Sequence, residues 1–216
     1  PCKMTGKIMA VPTAGGTPEG LLKMDRIRKN FGFGCMRLPM QGADVDIQET
    51  MRMVDVFLDA GFNYFDTAHG YLQSETALKE CLTSRYPRER YVLTDKLTAD
   101  FFKTEADIRP FFESQLEICG VDYFDFYLMH AQNHDNFVKF KECRAYEQAL
   151  EFKKEGKIHH FGISFHDTAD VLCSTRYLPN ILRSNSFRYS STTLILTPPR
   201  SSRAAAMRSA ASTASP

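Results

Sequence analysis

The chain has 216 residues, 43% of them hydrophobic, and a formal charge of +1. That is enough for one domain with a real core, and the balanced charge excludes a strong field that would draw in nucleic acid or an acidic membrane surface. No apolar run reaches the roughly 18 residues that span a bilayer, and no secretion signal is evident. The six cysteines, Cys2, Cys35, Cys81, Cys119, Cys143 and Cys173, are widely spaced, with no Cys-x-x-Cys pair. They read as free thiols of a reducing cytoplasm rather than a disulfide or zinc framework. Position 1 is Pro, so the start is expected at Met4 or Met24, or the chain is a fragment. Residues 1–24 show no periodicity and are expected to lie outside the core as an extension.

Phe31 to Met36 reads as a short strand stopped by Leu38-Pro39. Ile47, Met51, Val54 and Leu58 recur at helical spacing, with Asp46 as N-cap and Gly61 as stop. A strand Phe62–Phe65 closes at Asp66, and Tyr71 follows in the loop. A second helix opens near Ser74-Glu75 and runs through Leu78, Cys81 and Leu82. The next strand, Tyr91 to Asp95, closes at Lys96. Ile108, Phe112, Leu116 and Cys119 mark a third helix closed by Gly120, with Pro110 in its first turn or kinking it. Tyr123 to Met129 is a strand closing at His130. A fourth helix runs through Tyr146, Ala149 and Leu150 to Gly156, and a fifth strand spans Ile158 to Ser164.

Five strands alternating with four helices imply an α/β fold with parallel strands and right-handed crossovers. The reading is a partial TIM (α/β)8 barrel, about five of eight strand–helix units, over residues 25–172. An open doubly wound sheet is the rival, but Gly32-x-Gly34 lacks the third glycine of a phosphate loop. From about Cys173 the composition turns to Ser, Thr, Arg and Ala. A disordered basic tail is one reading of residues 173–216. Codons allowed for Leu182 to Pro216, read out of register, can instead encode an apolar strand followed by an amphipathic helix. The expectation is therefore a frameshift between about Asp170 and Leu178, with an out-of-frame tail.

Asp66, Tyr71, Lys96 and His130 gather at successive strand ends, where a parallel barrel keeps its chemistry. A tyrosine hydroxyl ordinarily titrates near 10, and a neighbouring ammonium favours the phenolate. Lys96 can supply that ammonium, Asp66 can hold it, and His130 can orient a carbonyl oxygen. The set suits protonation of a carbonyl while hydride arrives at carbon, and since no side chain donates hydride, a nicotinamide cofactor is implied. Each residue alone has a plainer reading: a turn for Asp66-Thr67, a surface aromatic for Tyr71, a solvated strand end for Lys96, a core histidine for His130. His159, His160 and His166 are not expected to bind metal, because neighbouring strand residues face opposite ways and no carboxylate or thiolate completes a set. The tail arginines 188, 200, 203 and 208 have no structured scaffold beside them, and no nucleic-acid partner is expected.

Phe33-Gly34-Cys35-Met36-Arg37-Leu38-Pro39, Phe65-Asp66-Thr67-Ala68-x-Gly70-Tyr71, Ser74-Glu75, Asp95-Lys96, Tyr127-Leu128-Met129-His130 and Lys157-x-x-x-Phe161-Gly162-Ile163-Ser164 together resemble the aldo-keto reductases of the bacterial type over residues 30–172. The resemblance implies an (α/β)8 barrel that reduces aldehydes and ketones with NADPH or NADH. Tyr71 would be the acid/base, Lys96 and Asp66 its tuning pair, and His130 the substrate-orienting group. Gly34, Cys35 and Met36 match the segment near the nicotinamide ribose, and Ser164 a residue near its carboxamide. Phe165 stands where the family commonly has asparagine. Some bacterial relatives add an iron–sulfur domain, and no matching cysteine cluster is present. Adenine and phosphate contacts in the family come mostly from strands seven and eight, for which no segment here matches. The expectation is a chain that folds poorly and binds dinucleotide weakly or not at all. The rival functions are a non-catalytic reductase-like remnant or scaffold and a barrel lyase or isomerase with a Schiff-base lysine. The sequence leaves open the substrate, NADPH against NADH, and the oligomeric state.

Overall fold

The computed structural model describes residues 26–29, 31–168 and 170–171. The expected extension 1–24, Cys2, Cys173, the tail 173–216 with its arginines, and most of the expected frameshift window lie outside the described residues.

Seven strands and five α-helices are described: β1 (Gly32–Gly34), β2 (Met40–Gln41), β3 (Asp44–Val45), α1 (Ile47–Asp59), β4 (Tyr64–Asp66), α2 (Ser74–Leu78), β5 (Val92–Leu97), α3 (Glu105–Cys119), β6 (Phe124–Gln132), α4 (His134–Glu142), α5 (Ala145–Lys154) and β7 (Ile158–Phe165). β1, β4, β5, β6 and β7 form one five-stranded sheet in chain order. Every neighbouring pair in it is parallel. Sequential parallel neighbours with helices in the connections are what the alternating pattern predicts, a partial barrel of five strand–helix units.

Local chemistry explains the boundaries. Asp46 caps α1 by accepting from the Glu49 N–H at 2.9 Å, as expected. At the start of α3 the Asp107 carboxylate takes the N–H groups of Thr104 (2.8 Å) and Lys103 (2.9 Å). Gly120 ends that helix at φ +65, the left-handed conformation a glycine adopts without penalty. α2 runs on through a π-type turn over Lys79–Thr83.

The structure adds to or departs from the sequence-based elements in four places. The strand at Phe31–Met36 shrinks to three residues, because Cys35–Arg37 coils into a 3-10 turn. A small hairpin, β2–β3, follows it; two-residue strands leave no alternation to read. Pro110 sits at the sixth position of α3, beyond the first turn, and the helix continues through it. α4 was not anticipated: its buried side is only Phe137 and Phe140, diluted by lysines, although Asn133 caps it through the Asn136 N–H at 2.9 Å.

The main core lies between sheet and helices. Phe112 of α3 stacks on Phe152 of α5, with centroids 4.1 Å apart, and meets Tyr127 of β6 edge-on at 5.0 Å. Aromatic pairs of this geometry add to the burial itself. On the opposite face of the sheet Tyr64, Val92 and Phe126 form a second cluster with Ile27 packed against it. Strand alternation puts Asp66 on the same face as Tyr64, Lys96 with Val92, and His130 with Phe126.

Candidate active site

Asp66 ends β4 and pairs in register with Thr94 of β5, while Lys96 pairs with Leu128 of β6. The sheet thus sets an aspartate and a lysine side by side on one face, at the C-terminal ends of adjacent strands. Lys96 is 1% exposed, and its three ammonium protons find three acceptors: Asp66 Oδ1 at 2.6 Å, the Thr67 carbonyl at 2.7 Å and Tyr71 Oη at 3.2 Å. The loop after β4 brings Tyr71 back, closed by the Tyr71 N–H donating to the Ala68 carbonyl at 2.8 Å. Nζ also lies 4.6 Å from the centre of the Tyr71 ring. His130 approaches that ring edge-on, with centroids 5.7 Å apart. The structure therefore brings the four expected residues into one cluster.

His130 does not close its strand, as the sequence suggested. β6 runs two residues further to Gln132, with a register shift between Met129 and Gln132 and Ala131 at φ +49. A bulge of this kind re-aims a side chain next to a site.

The remaining expected positions sit on the same edge. Gly34 pairs with Asp66, and nothing lies within 4 Å of where a side chain would begin. Cys35 is buried and Met36 exposed in the turn after β1. Burial, and then the charge of Asp66, push the Cys35 thiol up, so it is neutral at pH 7. Ser164 of β7 is 2% exposed and its Oγ meets His166 Nε2 at 3.2 Å. His159 and His160 lie apart from these, stacked on Tyr123 (4.2 Å) and Phe126 (4.7 Å).

Comparison with known proteins fits this geometry. The Aldo/keto reductase family profile matches residues 30–191. The chain belongs to the aldo/keto reductase family. An aldo-keto reductase of Mycolicibacterium smegmatis is 27% identical over 139 residues, covering 64% of this chain and 49% of that protein. The crystal structure of an aldo-keto reductase from Bacillus halodurans in its holo form is 30% identical, with a TM-score of 0.52, and covers 64% of this chain and 46% of that one. The fold is also that of an aldo-keto reductase from Klebsiella pneumoniae in complex with NADPH, 21% identical, TM-score 0.52, covering 66% of this chain and 47% of that one. The chain spans about half the length of the relatives it matches.

Electrostatics set the protonation of Lys96 and His130. Burial works against the charge on Lys96, but the Asp66 carboxylate and Tyr71 outweigh it, and its pKa ends above the ordinary lysine value. Burial, then Lys96, then His166, push His130 down to about 4, so its imidazole is neutral at pH 7. Two partners escaped the sequence reading. Thr98 Oγ1 meets His130 Nδ1 at 2.7 Å, and the His166 N–H donates to the Gln132 carbonyl at 2.8 Å. The signal for Thr98 was its position two residues after Lys96, just past the end of β5. His166 was weighed only as a metal ligand.

Proposed function

We propose that this cluster is the reducing site of an aldo-keto reductase, acting on aldehydes or ketones with NADPH or NADH. The observation that carries the proposal is the Lys96 ammonium shared between Asp66 Oδ1 and Tyr71 Oη, with a neutral His130 against the same tyrosine. Tyr71 gives its proton to the carbonyl oxygen. Lys96, already donating to Oη, stabilises the negative charge that remains there. Asp66 keeps Lys96 charged and aimed. His130, uncharged, orients the carbonyl oxygen as a hydrogen-bond partner and does not compete for the tyrosine proton.

The residues fit a dinucleotide on one structural observation: Asp66 Oδ2 is buried and has no hydrogen-bond partner among the described residues. An unpaired buried acceptor suits a sugar hydroxyl, and the open space at Gly34 leaves room for a close backbone approach. Gly34, Cys35, Met36 and Ser164 would line the nicotinamide end. The bound cofactor would supply hydride to the carbonyl carbon. The Klebsiella relative's NADPH supports this choice. A Schiff-base mechanism needs a neutral lysine, whereas Lys96 is held as an ammonium.

The test is loss of NADPH absorbance with a panel of aromatic and aliphatic aldehydes, at cofactor excess because weak dinucleotide binding is expected. Tyr71→Phe should lower kcat by roughly 100-fold or more. Turnover unchanged in Tyr71→Phe, or none in the folded unmodified chain, overturns the proposal.

A further inference from the structure

On the other face of the sheet, directly behind Lys96, two carboxyl groups are buried together. Asp95 precedes Lys96 on β5 and is 0% exposed; Glu75 opens α2 and is 5% exposed. Cys119, the last residue of α3, lies with them, the three ligand-type atoms within 4.8 Å of one another. One oxygen of each carboxyl group therefore lies within 4.8 Å of the other, and both groups are buried. Two ionised carboxylates buried this close repel each other, and one proton held between them removes that repulsion.

The surrounding contacts grip Lys96 itself. Asp95 Oδ1 accepts from the Lys96 N–H at 2.7 Å. Gln115 of α3 donates from Nε2 to the Lys96 carbonyl at 3.2 Å and to Glu75 Oε1 at 3.1 Å. Tyr127 Oη donates to Gln115 Oε1 at 2.6 Å and fixes that amide. Glu75 Oε2 is met by His69 Nδ1 at 2.6 Å, its ring packed edge-on to Phe101 and Phe111. Both backbone groups of the lysine that bridges Asp66 and Tyr71 are therefore held by side chains of one network.

We propose that Glu75 and Asp95 form a proton-sharing carboxyl pair whose role is to position Lys96. Its consequence for reduction rests on the role proposed above for Lys96. Burial, then the charge of Glu75, push the Asp95 carboxyl well above the usual carboxylate range, which favours the shared proton on the Asp95 side of the pair. Two further titratable neighbours keep their own protons: burial first, then these carboxyl groups, raise both the Cys119 thiol and the Tyr127 hydroxyl. A neutral carboxyl before Lys96 accepts the lysine N–H and donates to Glu75 in one geometry. A doubly ionised pair would repel and release both grips.

Two spectroscopic readouts test this on the full chain, independently of turnover. Infrared difference spectra at pH 7 should show one protonated carboxyl C=O band that is lost in Asp95→Asn. In chain labelled with 15N-lysine, a slowly exchanging ammonium signal, assigned by its loss in Lys96→Met, should persist in Asp95→Asn. That amide reproduces both the donor and the acceptor of a protonated carboxyl. The signal should broaden or vanish in Asp95→Leu, of similar size and without polar atoms. If reduction is measurable, kcat should fall at least 10-fold in Asp95→Leu and less than 3-fold in Asp95→Asn, with substrate KM little changed in either. Absence of the carboxyl band in the folded chain, or an unaltered Lys96 signal in folded Asp95→Leu, overturns the proposal. Both readouts in place without turnover would count against the reductase reading alone.

Discussion

His130 carries the clearest pH consequence at the scale of single residues. Its pKa falls to about 4 in the folded chain, below the ordinary 6.5 of an unfolded histidine. Between those values the unfolded chain binds more protons than the folded one, so folding stability drops as pH falls through that window. Above about 6.5 there is no penalty, and below about 4 it is complete. Allowing for the partial exposure of the ring, the penalty is of order 2 kcal/mol. His159, His160 and His166 shift in the same sense, chiefly through burial. A single substitution isolates the share of His130: the urea midpoints at pH 7 and pH 4.5 should lie closer together in His130→Gln than in the unmodified chain. Equal gaps in the two proteins would contradict the buried, neutral imidazole. The candidate residues themselves were legible from their order and strand-end positions. Their partners Thr98 and Gln115 were not, because which residues meet across strands and helices depends on register and packing depth.

At the scale of elements, α3 contains a measurable conflict. Pro110 is exposed and lies within the helix, so it has no N–H for the Ala106 carbonyl and its ring crowds that carbonyl. The capping of Thr104 by Asp107, and the burial of Ile108, Phe112, Leu116 and Cys119, hold the helix together across the defect. Pro110→Ala should therefore stabilise the chain, by about 1–2 kcal/mol once the greater freedom of the unfolded alanine chain is allowed for. A rise in thermal midpoint checks this; a fall would mean the ring makes contacts that outweigh the missing hydrogen bond. The apolar period Ile108, Phe112, Leu116 and Cys119 marked this helix through to Gly120 in spite of the proline, because a buried face overrides a local preference. The same rules found α1, whose cap and apolar period agree, and missed α4, whose buried face is two phenylalanines wide.

Across the described residues, aromatic contacts join the sheet to its helices, and one group of them ties α3 and α5 to β6. Phe112 is fully buried between Phe152, Phe124 and Tyr127, which makes it a central contact among α3, α5 and β6. Phe112→Ala should cost about 3–5 kcal/mol, enough to approach the entire stability of a typical domain. Chemical denaturation would show an early midpoint or no cooperative transition, and a loss below about 1 kcal/mol would mean the layer collapses around the gap. β1 and β7 are the outer strands of the described sheet, and Phe31, Met53 and Val56 are exposed near the β1 edge. Alternating apolar runs, caps and turn glycines were enough to determine the parallel strand–helix order, and strand-end polarity was enough to single out Asp66, Tyr71, Lys96 and His130. Those signals are local, written in periods of two and 3.6 residues. Only the tertiary structure decided that Lys96 reaches both Asp66 and Tyr71, that a bulge carries β6 past His130, and that Glu75 and Asp95 meet behind the lysine. Each of these depends on contacts between residues about 20 to 60 positions apart, set by strand register and helix packing that no local pattern encodes.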